Sequence, residues 1–248
     1  MLFSHSMNLA ALICSTHEDP VLYANELTPE RQKKYCCRMI GIKARSAADF
    51  FPEKINFESL RAAAETCEGC DLYKLATQTV FGEGPKHPKI ILVGEQPGDE
   101  EDKQGHPFVG PAGRLLDQAL EEAGIDRSRV YTTNAVKHFK WKPAGKRRLH
   151  QKPSASEVEA CRPWLMGEIE TIQPEIIVCL GATAAQSLLG KDFRVTKSRG
   201  QWMELDGKRI IATVHPSSIL RAPDPQARDD QYMAFVADLK IVAKELAK

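Results

Sequence analysis

The sequence predicts an α/β fold over residues 55–248, a three-layer α/β/α sandwich with a largely parallel central sheet. Three observations predict it. The runs Lys89-Ile90-Ile91-Leu92-Val93 and Ile176-Ile177-Val178-Cys179-Leu180 are short and almost wholly apolar, as strands buried on both faces are. Helical patterns separate these runs along the chain, the order that parallel strands with crossovers require. The chemistry-bearing residues, finally, fall just after strand ends, where ligands gather in open α/β sheets.

The elements follow in order. The first run ends at Gly94. Pro111 and Gly113 open a helix through Leu115, Leu116, Ala119 and Leu120 that stops at Gly124, with proline where its missing donor costs nothing. Residues 130–136 read as a second strand. Ser154 with Glu157 three residues on forms a capping box for a helix reaching Ile172. Pro163 inside that helix predicts a kink and a division into two pieces. After the strand at 176–180 comes a helix over 182–189. Residues 202–205 and 210–214, joined through Asp206-Gly207, predict a hairpin, and 228–247 a closing helix. Residues 1–54 form a separate, small helical extension. Within it Thr28-Pro29 caps a helix to Met39, on which Cys36 and Cys37 pack, before Phe50-Phe51-Pro52 breaks the pattern.

Composition narrows the function classes. A chain of 248 residues that is 42% hydrophobic and 27% charged builds a core without disulfide staples. The net charge is +1, so nucleic-acid binding would need locally concentrated positive charge. No apolar stretch approaches the ~20 residues that span a bilayer. Residues 9–13 are too short for a secretory core and lack a basic lead. A cytoplasmic, monomeric protein that binds no membrane is expected. Seven cysteines argue against a complete disulfide set, and ligand-like spacing points to metal or redox chemistry instead.

Three clusters carry the candidate chemistry. Gly94-Glu95-Gln96-Pro97-Gly98-Asp99, Thr133-Asn134 and His215-Pro216-Ser217-Ser218 each follow a predicted strand, so a carboxylate, two amides and an imidazole converge on one rim. Taken singly, Glu95 is equally a turn cap and His215 a structural residue. The glycine loop lacks the G-x-G-x-x-G spacing, which disfavours a nicotinamide enzyme. Residues 137–152 hold seven Lys or Arg, no acid, and interleaved Phe139 and Trp141, a basic aromatic loop suited to phosphates and exposed bases. Cys67-x-x-Cys70 with Cys161 and Cys179 offers four thiolates for zinc or an iron–sulfur cluster, and ligand count alone does not separate the two. On its own Cys179 also reads as a small core residue.

The runs Gly94-Glu95-Gln96-Pro97-Gly98-Asp99, Pro107-Phe108-Val109-Gly110-Pro111-Ala112-Gly113-Arg114, Thr133-Asn134-Ala135-Val136-Lys137-His138-Phe139 and His215-Pro216-Ser217-Ser218-Ile219-Leu220-Arg221 together resemble the iron–sulfur uracil-DNA glycosylases. Gln96 and Lys146-Arg147-Arg148-Leu149-His150 are similar to the UdgX subfamily, with Leu149 in place of isoleucine. The resemblance covers about residues 60–245. It implies a [4Fe-4S] cluster on Cys67, Cys70, Cys161 and Cys179, and uracil-containing DNA, preferably single-stranded, as substrate. It implies that Asn134 bonds the uracil edge, Phe108 stacks on the ring, and Gly94 and Arg221 line the substrate site. His215 would stabilise charge on the departing base, and Glu95 and Gln96 the sugar and its attacker. His150 would attack the anomeric carbon and remain bonded to it. Lys146, Arg147, Arg148, Ser217 and Ser218 would hold DNA, with Ile219 and Leu220 either wedging into the strand or packing beneath the loop. The alternatives are a conventional turnover glycosylase and a non-catalytic iron–sulfur protein that binds single-stranded DNA.

Overall fold

Five strands form one sheet in the order β2-β1-β5-β7-β6. They are β1 (Ile90–Gly94), β2 (Val130–Asn134), β5 (Ile176–Leu180), β6 (Trp202–Leu205) and β7 (Lys208–Thr213). All pair in parallel except β6, which returns antiparallel on β7. This is a computed structural model that describes residues 45–247. Among them no helix is long and apolar enough to cross a membrane. The helix expected over 28–39, with Cys36 and Cys37, lies outside the described residues.

Strand alternation builds two cores. Ile90, Leu92, Val178, Leu180 and Ile211 point to one face, against α3 (Pro111–Ala123) and α8 (Pro225–Leu246). Ile91, Val93, Ile177, Cys179, Ile210 and Ala212 point to the other, against α4 (Ala155–Ile172) and α5 (Ala182–Leu189). Helix, sheet and helix make the three layers expected. A third cluster joins α1 (Phe57–Ala64) to Phe81, Cys161 and Trp164. Residues 45–54, assigned from sequence to the extension, pack here: Ala47 is fully buried, and Phe51 stacks on Trp164 with ring centroids 4.7 Å apart.

Several boundaries move for visible reasons. β2 stops at Asn134 rather than 136, because the N–H groups of Ala135 and Val136 turn to the carbonyls of Gly94 and Glu95, at 2.9 and 3.0 Å. That diversion draws the chain across the end of β1. The Ser154–Glu157 box forms as read, but α4 continues unbroken through Pro163. The carbonyl that the proline leaves without a helical donor belongs to Glu159, an exposed residue. The last helix starts at Pro225, because Asp224 accepts from Ala227 N–H and supplies a cap. Asp206 and Gly207, at φ 50° and 74°, make the tight turn expected of the β6–β7 hairpin.

The basic stretch is not a loop. β3 (Trp141–Ala144) and β4 (Arg147–His150) form an antiparallel hairpin, with Gly145 at φ 61° in its turn. Two short helices, α2 (Asp99–Gln104) and α7 (Pro216–Leu220), had no periodic signal to reveal them. A four-residue turn, α6 (Val195–Ser198), precedes β6.

The strand order fixes where a ligand fits. The chain leaves β1 through α3 on one face and β5 through α5 on the other, so the connections diverge between these neighbours and open a crevice beyond their carboxyl ends. Phe108 enters it from a left-handed turn, at φ 58°. A Cβ on Gly113 would lie 1.7 Å from the Phe108 carbonyl oxygen, so the turn tolerates no side chain there. We predict that Gly113→Ala lowers stability by about 1–3 kcal/mol, read as an earlier urea midpoint with an unchanged slope.

Candidate active site

Four strand ends meet at the crevice. Glu95 and Gln96 follow β1, Asn134 closes β2, Gly181 and Thr183 follow β5, and His215 follows β7. The Glu95 carboxylate accepts from the Thr183 hydroxyl, a bond that spans the divergence of the two connections. Thr183 had no sequence signal beyond standing two residues after Gly181. Asn134 is buried to 3% exposure behind Gly94, where a Cβ would lie 2.3 Å from the amide oxygen and 2.8 Å from the Phe108 ring. Glycine at 94 therefore lets the amide and the aromatic ring share the pocket floor.

His215 is held from behind. It caps α7, its Nδ1 accepting from Ser217 N–H at 3.1 Å and lying 2.8 Å from the Ser217 hydroxyl. In the neutral ring the proton then sits on Nε2, an assignment made from these partners. Burial, then the charges of Arg221 and His150, push its pKa down to about 4. The imidazole lies near the Phe108 ring, with centroids 6.3 Å apart and planes 24° from parallel. A Cβ on Gly181 would stand 3.0 Å from that of His215, another close approach that glycine permits.

His150 closes the front. Residues 148 and 150 share one face of β4, and that face turns inward. Arg148 Nε reaches Asp99 at 2.5 Å and its Nη1 reaches Asp102 at 2.5 Å and Thr77 at 3.0 Å, while Nη2 takes the Asp99 carbonyl at 3.2 Å. Phe139 and Trp141 lie within 5.4 and 5.5 Å of the guanidinium. Arg148, expected on phosphates, is thus spent inside the protein, pinning the hairpin to α2. Lys146 and Arg147 remain exposed. Ser217 and Ser218 turn their hydroxyls to His215. Ile219 is fully buried, so it packs beneath the loop and does not wedge.

Gln96 reads the backbone beside the hairpin. Its Oε1 accepts from Lys140 N–H at 3.1 Å, and its Nε2 donates to the carbonyls of Lys140 and Gln151 at 3.2 and 3.0 Å. Those bonds orient the amide, because a flipped one would set oxygen against two carbonyls. The same Nε2 lies 2.9 Å from His150 Nε2, which must accept and is therefore unprotonated. Three acceptors compete for two hydrogens. His150 Nε2 is also 3.8 Å from Glu95 Oε1, with 48% of its side chain exposed. Burial lowers its pKa, against the pull of Glu95 and with the help of Arg221.

The cysteines divide. Cys67, Cys70 and Cys161 lie together: burial raises Cys70 and pushes Cys161 up to about 12, and neighbouring thiols add to both. Lys137 N–H donates to Cys161 Sγ at 3.3 Å and Gly69 N–H to Cys67 Sγ at 3.4 Å. Cys179 does not join them. It sits one residue before the end of β5 with its side chain in the core between the sheet and helices α4 and α5, outside the cluster that holds the other three, and is raised to about 12 by burial alone. The expected four-thiolate set is corrected to three, because the pleat of β5 aims the fourth elsewhere. Among the described residues no set of three His, Cys, Asp or Glu surrounds a single metal ion. Cys67, Cys70 and Cys161 share one buried cluster with two main-chain N–H groups donating to its sulfurs, the kind of donor set that cysteine-ligated groups use.

Residues 81–240 match the family model described as the uracil DNA glycosylase superfamily. A Type-4 uracil-DNA glycosylase of Thermotoga maritima is 43% identical over 166 residues, 66% of this chain and 83% of that protein. The Type-4 enzyme of Archaeoglobus fulgidus is 39% identical over 178 residues, 68% of this chain and 85% of its own. The Sulfurisphaera tokodaii counterpart is 35% identical over 198 residues, covering 76% and 87%.

Replacing Arg148 with glutamine should free the hairpin. Amide exchange across residues 141–150 is expected to quicken at least tenfold, about 1.4 kcal/mol of local opening, with protection in β1 and β5 unchanged. Equal loss in both regions would mean that the clamp supports the whole domain.

Proposed function

The chain belongs to the uracil-DNA glycosylase superfamily, and from that premise we propose that it excises uracil from DNA and then stays joined to the emptied sugar through His150. One observation carries the second half: an unprotonated imidazole nitrogen 3.8 Å from the carboxylate of Glu95, on a hairpin clamped in place.

The bond between N1 of uracil and the anomeric carbon breaks with its electron pair moving onto the base. His215, neutral and bearing its proton on Nε2, donates a hydrogen bond to the oxygen that gathers this charge. Asn134 bonds the uracil edge and the Phe108 ring stacks on its face. The sugar left behind is cationic, and Glu95 stabilises it. His150 Nε2 then releases Gln96 and donates its lone pair to the anomeric carbon, forming a C–N bond. The Nδ1 proton leaves to solvent from the half-exposed ring, and the uracil anion takes up a proton. A histidyl–DNA bond and free uracil result.

Single-stranded DNA is the favoured substrate. Lys142, Lys146 and Arg147 are exposed for phosphate contact. The buried Ile219 leaves that position unable to fill a gap in a duplex. We propose further that Cys67, Cys70 and Cys161 hold a [4Fe-4S] cluster that ties the start of the domain to α4.

Incubation with single-stranded uracil DNA should give a heat-stable shifted band on a denaturing gel. His150→Ser should abolish the band and leave uracil release, with water in the vacated place. Because burial holds His150 below the ordinary value of about 6.5, the neutral nucleophile dominates above that pH. Adduct formation should be flat from pH 8 to about 6.5 and fall only on the acid side. Repeated uracil release by the unaltered chain without a band would establish ordinary turnover instead.

The purified protein should be brown. Cys161→Ser should bleach it, whereas Cys179→Ala should keep the visible absorption within a few per cent. A colourless protein carrying zinc would overturn the cluster.

A further inference from the structure

Behind Asn134 lies a set of buried polar side chains that no step above uses. Lys137 stands on the turn leaving β2 with its side chain 1% exposed, and its partner Glu168 on α4 is 0% exposed. The ammonium spends its three hydrogens on Glu168 Oε2 at 2.5 Å, Thr133 Oγ1 at 2.6 Å and the main-chain oxygen of Asn134 at 2.9 Å. The carboxylate is equally occupied. The Tyr131 hydroxyl and Gly82 N–H donate to Oε1 at 2.8 and 3.0 Å, and the Thr133 hydroxyl lies 3.0 and 2.9 Å from its two oxygens.

A buried ion pair is a poor route to stability, since well-packed apolar side chains of similar volume do as well. What this one supplies is direction. Two of the three Lys137 bonds end on residues 133 and 134, and the third ends on a carboxylate fixed by other donors. The peptide at 134 therefore cannot rotate without breaking a desolvated charged network. β2 is the edge strand, held by β1 on one side and by a single bridge at Glu83 on the other. Its last residue would otherwise be the loosest on the pocket floor.

We propose that the Lys137–Glu168 pair is a positioning device for Asn134, locking its peptide so that its side chain leaves the pocket floor at one place and angle to meet the base. The inference rests on uracil excision as the activity.

The test uses the full-length chain carrying both Lys137→Met and Glu168→Leu, which removes the two charges together and strands neither. Uracil release is followed in single turnover, with enzyme in excess over single-stranded uracil DNA. A purely structural role lowers the amplitude, which counts folded molecules, and leaves their rate constant alone. A positioning role slows the rate constant by about 10–100-fold, the scale of a small misalignment, with the amplitude kept. A rate constant within twofold of the unaltered chain overturns the inference. An unaltered chain that releases no uracil overturns the activity itself, a separate failure seen before any variant is made. Should the double variant not fold, Glu168→Gln is judged by the same rate constant.

Discussion

The divergence of the chain between β1 and β5 is the constraint on which the rest of the site depends. Parallel pairing leaves the carboxyl ends of β1, β2, β5 and β7 side by side, and departure of the connections to opposite faces keeps that end open. Glu95, Gln96, Asn134, Thr183 and His215 each stand within a few residues of such an end. The crevice is narrow, and the glycines at 94, 113 and 181 stand where a Cβ would collide with Asn134, Phe108 or His215. Backbone approach, rather than side-chain length, brings the reacting groups together.

The hairpin is a second tier built on that frame. Four bonds from Arg148 and the backbone reading by Gln96 hold it shut without substrate. A nucleophile placed by a floppy loop would pay ordering entropy at every encounter. Here much of that ordering is already done on folding, which is what the proposed attack on a short-lived cation demands. The cost is that Arg148 is lost to phosphate binding, while Lys146 and Arg147 stay exposed on the outer side.

The sheet, the order of its elements and the residues around its mouth were legible in the sequence, because apolar runs and capping residues are local signals. Asn134, Glu95 and His215 could be placed on one rim for that reason. The hairpin was not legible: Trp141-Lys142-Pro143-Ala144 and Arg147-Arg148-Leu149-His150 carry little apolar alternation, since neither strand lies over a core. Arg148 was misread because a basic run gives no hint of which members face inward until strand alternation is known. Cys179 was misread for the opposite reason. Its spacing resembled a ligand set, but its side chain packs in the sheet core with Leu165 and Ala184 and not in the cluster that holds Cys67 and Cys161. Lys137 and Glu168, thirty-one positions apart, are joined only by the fold.

In the proposed reaction two histidines serve opposite ends of one bond cleavage, and desolvation and the charge of Arg221 favour the neutral form of both. What separates their roles is the partner each has. Ser217 N–H occupies Nδ1 of His215, which leaves Nε2 to donate. The amide of Gln96 occupies Nε2 of His150, which requires a lone pair there. The first ring can therefore stabilise negative charge and the second can attack positive charge at the same pH. Protonation of both would spoil the second role outright and leave the first able to donate, so acid acts on bond formation at His150 before it acts on departure of the base. In that proposal the choice between trapping and hydrolysis is made at Gln96, whose two hydrogens are shared among three acceptors, so His150 can depart while both backbone carbonyls stay paired.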